Sequence, residues 1–126
     1  MSERIPLTIV SGADYAQREA TIWQAGACFL DRHGSDSRIA VILEGLPSGN
    51  FLFLPSAQIN IQRIAPGCFC CIGNLTMRVT LNRLLRQKIQ HLYLGVASAE
   101  HLQNLRETLQ QAPYDQLLLE ESIIYL

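Results

Sequence analysis

Lysine is nearly missing from this chain of 126 residues: nine of its ten basic residues are arginine, and the remaining one is Lys88. A phosphate site built on a lysine ammonium therefore has one residue to draw on. Charge of either sign is scarce as well. Charged residues make up 17%, ten basic against eleven acidic, for a net charge of −1. That balance excludes nucleic-acid or membrane binding driven by bulk charge. No apolar run approaches the ~18 residues of a membrane-spanning helix. The segment Met1-Ser2-Glu3-Arg4-Ile5-Pro6 carries a charge of each sign and no long apolar stretch, unlike a secretory signal, so the expected location is the cytoplasm. Repeats, low-complexity tracts and linkers are absent. What remains is one domain, 48% hydrophobic, long enough to fold without a disulfide or a metal.

Strand-like and helix-like periods alternate along the chain. Pro6 to Ser11 is a short apolar run ending at Gly12. Asp14 to Ala25 holds helix formers with no breaker before Gly26. Arg38 to Glu44 is a continuous apolar run, as in a strand covered on both faces. Gly45 to Asn50 has loop chemistry, Phe51 to Leu54 reads as a brief strand, and Ile59 to Ile64 as another, stopped by Pro66-Gly67. Asn74 can cap a helix over Leu75 to Lys88, with Met77, Leu81, Leu84 and Leu85 on one face. His91 to Ala97 is strand-like. Ser98 can cap a helix striped by Leu102, Leu105, Leu109 and Ala112, which Pro113 stops. Leu117 to Leu119 and Ser122 to Leu126 are strand-like, separated by Glu120-Glu121. The pattern predicts an α/β fold of three layers, a mostly parallel sheet flanked by helices. Ligands of such sheets sit beyond the carboxyl ends of the strands. The turn after Ser11, the loop after Ile64 and the loop after Val96 are the places to look.

Three of the four cysteines fall within four positions: Cys68, Cys70 and Cys71, with Cys28 apart. In a reducing compartment such a cluster reads as metal or redox chemistry. Soft thiolates select zinc or a comparable ion, and two of the three can converge while Gly67 and Gly73 turn the backbone. Two or three thiolates do not fill a tetrahedral site. His91, Cys28, His33, Glu44 or a group from a second subunit could supply the fourth ligand. Packed, inert thiols are the plain alternative.

Gly67-Cys68-Phe69-Cys70-Cys71 resembles the Gly-Cys-x-Cys-Cys motif of the CobW-type P-loop GTPases, allied with the metal chaperones UreG and HypB. Around it, Pro6 to Gly12 looks like that family's first strand and loop glycine, and Arg38 to Glu44 like its second strand. The segment from Leu75 looks like the helix after the motif, and Ile89 to Ala97 and Tyr114 to Leu119 like the next strands. The resemblance spans nearly the whole chain, which covers the first part of the family's GTPase domain. It implies a P-loop fold, a metal at Cys68, Cys70 and Cys71, and a phosphate loop opening at Gly12. That loop departs from G-x-x-x-x-G-K-[ST]. Gln17, Arg18 and Glu19 stand at the positions of glycine, lysine and hydroxyl, leaving Gly12 and Arg18 as its remnants. Gln17 adds bulk, Arg18 brings a planar fork in place of an ammonium, and Asp14 and Glu19 add negative charge. The acidic switch motif aligns with Gly95-Val96-Ala97-Ser98 and has lost its glutamate.

The expectation is a non-hydrolysing CobW-like accessory protein that binds zinc or docks a partner through the Cys68 to Cys71 loop in metal handling, with GTP not expected as a cofactor. A residual GTP-binding protein and a purely structural interaction module are the alternatives. The apolar segment Ser122 to Leu126 predicts a homodimer or a protein partner. Arg78, Arg83, Arg86 and Lys88 read as a solvated helix face, His33 as part of a polar turn, and Glu100 and His101 as surface residues. Ser11 has no G-x-S-x-G elbow and no paired His and Asp around it.

Overall fold

The computed structural model describes residues 4–45, 56–64 and 75–126. The expected strand at Phe51 to Leu54, most of the Gly45 to Asn50 loop, and Cys68, Cys70 and Cys71 lie outside the described residues. Within them the order is β1 (Ile5–Ser11), α1 (Tyr15–His33), β2 (Ile39–Glu44), β3 (Ile59–Ile64), α2 (Leu75–Leu85), β4 (His91–Val96), α3 (Ala99–Leu109), α4 (Tyr114–Leu117) and β5 (Leu118–Tyr125).

The five strands form one all-parallel sheet in the order β3-β2-β4-β1-β5. Helices cover both faces, so the three-layer α/β architecture expected from the pattern is what the chain adopts. Every residue of β2 and of β4 is buried, which is why both read as uninterrupted apolar runs. One face packs Leu7, Ile9, Ala40, Ile42, Leu92 and Leu94 against α2 and α3. The other packs Val10, Val41, Leu43 and Tyr93 against Tyr15, Ile22 and Phe29 of α1. β3 alternates because it is an edge: Ile59 and Ile61 lean on the α1 layer while Asn60 donates to Gln87.

Several boundaries differ from the sequence expectation. α1 does not stop at Ala25. It runs on through a buried Gly26 to His33, because Ile22 and Phe29 keep one stripe facing the sheet across that glycine. The stop is Gly34, at φ +89°, whose N–H donates to the Leu30 carbonyl. α2 ends at Leu85 and α3 at Leu109, so Ala112 lies beyond the helix and is exposed. The two C-terminal pieces form one strand. Glu121 is the extra residue of a bulge between the pairs Leu7–Glu120 and Thr8–Ser122.

The topology selects one place for a site. β1 leads into α1 on one face, whereas its neighbour β4 leads into α3 on the other. The adjacent carboxyl ends of β1 and β4 are thus a topological switch point, where the departing chains open a crevice.

Candidate functional site at the carboxyl edge of the sheet

The turn after β1 is short. Gly12 and Ala13 take positive φ, +94° and +54°, and Asp14 already caps α1. Its carboxylate accepts from the Gln17 N–H at 2.8 Å, and the Gln17 side chain accepts from the Asp14 N–H at 3.2 Å. This capping box consumes N–H groups that a helix start would otherwise offer an anion. Gly12 has a local reason for being glycine. Its N–H donates to the Val96 carbonyl, and a Cβ there would stand 2.8 Å from the Leu126 carbonyl oxygen. Leu126 in turn donates its N–H to Ser11 O at 2.8 Å, so the end of β5 lies against this turn.

Arg18 fills the turn from inside. The side chain is buried. Nη1 donates to Gly12 O at 3.1 Å and to Ala13 O at 2.7 Å, and Nη2 donates to Glu44 O at 3.1 Å. The loop therefore turns carbonyl oxygens toward a resident cation, the reverse of the N–H cradle that holds phosphate. Burial lowers the Arg18 pKa from its ordinary value, while Glu44 and Asp14 oppose that shift. Gly45, at φ +135°, is required by this packing, since a Cβ would meet the Tyr15 ring at 2.9 Å and Arg18 Nη2 at 3.1 Å.

Glu19 and Gln17 do not act as the resemblance has them. Glu19 is buried and points toward β3, where Arg63 Nη2 lies 3.4 Å from its carboxylate. Arg63 also donates from Nε to the Tyr15 hydroxyl at 2.8 Å. Burial raises the Tyr15 pKa, opposed by the Arg63 charge. Gln17 serves the helix cap.

Glu44 ends β2 and is fully buried. Its carboxylate accepts from the Ala97 N–H at 2.8 Å, and the Nδ1 of His101 lies 2.8 Å from both of its oxygens. A carboxylate this buried needs such partners. The α3 N-terminus adds favourable dipole charge, and Ser98 caps it by accepting from the His101 N–H at 3.3 Å. With Nδ1–H donated to Glu44, His101 keeps Nε2 as its free ring nitrogen, and its side chain stays 18% exposed. His101 is thus no simple surface residue. The sequence signal was there in Glu44, since a carboxylate closing the apolar run Ile39 to Leu43 demands a partner.

The other histidines lie elsewhere. His91 opens β4 at the amino edge, with Nε2 2.8 Å from Thr8 Oγ1 and Nδ1 buried without a partner. His33 stacks on Phe29, and His91 stacks on Tyr93. Cys28, His33 and His91 line a groove of about 450 Å³ there. Burial lowers the His91 pKa and lifts that of Tyr93 to about 12. Among the described residues no group of three or more His, Cys, Asp or Glu is gathered to hold a metal ion, and no helix is long and apolar enough to cross a membrane. No protein-family model, curated protein or solved structure matches the chain.

Proposed function

We propose that this chain is a CobW-like accessory protein that hydrolyses no nucleotide and binds a soft metal ion, zinc or one like it, through Cys68 and Cys70, with Cys71 as the alternate. The observation that carries the reading is the seat of Arg18. Its guanidinium occupies the turn where the resemblance calls for a phosphate loop, and it is held by three main-chain oxygens. Polyphosphate entering there would have to displace it and would face carbonyl oxygens. With nucleotide chemistry set aside, the thiolate cluster between Gly67 and Gly73 is the remaining feature with a specific chemistry. The protein would then take part in metal handling by holding the ion or by docking a partner on that loop.

A homodimer fits this reading. β5 is an edge strand, and Leu119, Tyr125 and Leu126 are exposed along and beyond it. A metal shared across a two-fold axis would complete an under-filled thiolate set. Sedimentation equilibrium with and without chelator tests it. Loss of dimer on chelation places the ion in the interface, and a mass near 14.1 kDa at all concentrations in both conditions removes self-association.

Competition with a chromogenic chelator tests the metal. The reduced protein is expected to take up zinc, and Cys68→Ser/Cys70→Ser to lose it. Equal affinity in both leaves a structural module with inert thiols.

A further inference from the structure

We propose that the groove between α1 and β5 binds a small zwitterion of the free amino-acid class, its carboxylate toward Arg32 and its ammonium toward Glu121. This site does not draw on the cysteine loop. α1 packs on β4, β2 and β1, which leaves the face of β5 beside it open. The groove lies there, with a volume of about 450 Å³. Small-molecule sites commonly span roughly 300–1,000 Å³. Its floor is buried and carries the rings of Phe29, His91 and Tyr93.

Opposite charges line the two walls, Arg32 on α1 and Glu121 on β5. The bulge puts Glu121 there. Successive strand residues point to opposite faces, and a bulge re-aims one of them. Leu7 pairs with Glu120 and Thr8 with Ser122, so Glu120 turns to Arg106 of α3 while Glu121 and Ser122 both line the groove. Both wall charges reach the Tyr93 hydroxyl, Glu121 raising its pKa and Arg32 lowering it. Neither is in an ion pair among the described residues. The floor holds a second unmet group. Ser122 donates to Thr8 Oγ1 at 3.3 Å, and Thr8 Oγ1 lies 2.8 Å from His91 Nε2. This hydroxyl chain assigns the Thr8 proton to Nε2 and the ring proton of the neutral imidazole to Nδ1. Nδ1 is buried without a partner, a costly state for a donor. A simple anion would face Glu121, and a simple cation would face Arg32. A zwitterion answers both walls, supplies His91 with an acceptor and sets an apolar side chain on Pro6 and Ile124.

Separate calorimetric titrations of the full chain with L-leucine, L-methionine and L-phenylalanine test this. At least one is expected to bind saturably. Its N-acetyl derivative, which lacks the ammonium, and its amide, which lacks the carboxylate, should each bind about 10-fold more weakly or worse. Glu121→Gln and Arg32→Gln should lose affinity to a similar degree. Both residues are exposed, so their unfolding midpoints should match the wild type. Histidine ¹⁵N spectra of the unaltered chain locate the site without a variant, since the bound amino acid should move the His91 Nδ1 resonance and leave those of His101 in place. No saturable binding up to about 10 mM overturns the proposal. So does equal affinity for the capped derivatives, equal affinity in either variant, or an unmoved His91 Nδ1 in the presence of binding.

Discussion

Arg18 and Glu44 are joined by a hydrogen bond to the backbone, while the Glu44 charge acts on the guanidinium without direct contact. The guanidinium Nη2 donates to the Glu44 main-chain oxygen at 3.1 Å, while the Glu44 carboxylate turns away to His101. One residue at the end of β2 thereby ties the turn after β1 to the start of α3. Removing Arg18 would leave the oxygens of Gly12, Ala13 and Glu44 without that donor in a buried place. Arg18→Ala is expected to lose about 3 kcal/mol of stability, and Arg18→Lys, which restores an ammonium without the planar fork, about 1–2 kcal/mol. Urea unfolding measures both. Equal midpoints for wild type and Arg18→Ala would show that the guanidinium does not organise this turn.

Gly12 and Gly34 separate backbone conformation from contact. Both have φ near +90°, but a Cβ at Gly34 meets nothing within 4 Å, whereas at Gly12 it would lie 2.8 Å from the Leu126 carbonyl oxygen. Gly34→Ala should cost about 1 kcal/mol and Gly12→Ala about 2 kcal/mol or more. Thermal unfolding of the two variants decides it. Matching losses would mean that the end of β5 yields freely.

Nucleotide binding is expected to be absent, and a loop-restoring substitution is expected to fail. α1 begins at Tyr15, two residues before the glycine position that Gln17 occupies, so the loop itself is too short. The triple variant Gln17→Gly, Arg18→Lys, Glu19→Thr breaks the capping box and the Arg63 contact as well. Calorimetry with Mg²⁺-GTP should be flat for both proteins. Saturable binding below about 100 μM, ~5.5 kcal/mol, would reinstate a GTP-binding protein.

Stability should fall in mild acid because of His91. Burial lowers its folded pKa below the ordinary value of 6.5, with His33 acting in the same direction and Glu121 opposing. The unfolded chain then binds the proton first. His91 costs nothing above about pH 6.5 and costs progressively more stability as pH drops from there toward its lowered folded pKa. His91→Gln, which can still reach Thr8, should flatten the change in urea midpoint between pH 7.5 and 5. A variant as acid-sensitive as the wild type would move the effect to another group.

Local pattern alone dictated the layers. Two runs buried on both faces, Ile39 to Glu44 and His91 to Val96, can exist only inside a covered parallel sheet, and the Leu102, Leu105, Leu109 stripe can pack only on its face. Burial of apolar surface depends on local period, and local period is written in order along the chain. The ends of elements were less legible. Gly26 reads as a stop although the stripe from Ile22 to Phe29 carries the helix across it, and Glu120-Glu121 reads as a break although a bulge absorbs the extra residue. The polar site at the carboxyl edge came from assembly. Arg18 to Glu44 spans 26 positions and Glu44 to His101 spans 57, and no spacing rule connects either pair. Which polar groups meet there depends on strand order, because β1 and β4 became neighbours only when the sheet assembled as β3-β2-β4-β1-β5. Electrostatic contacts act over a few ångströms, so they follow that assembly and not the order of residues.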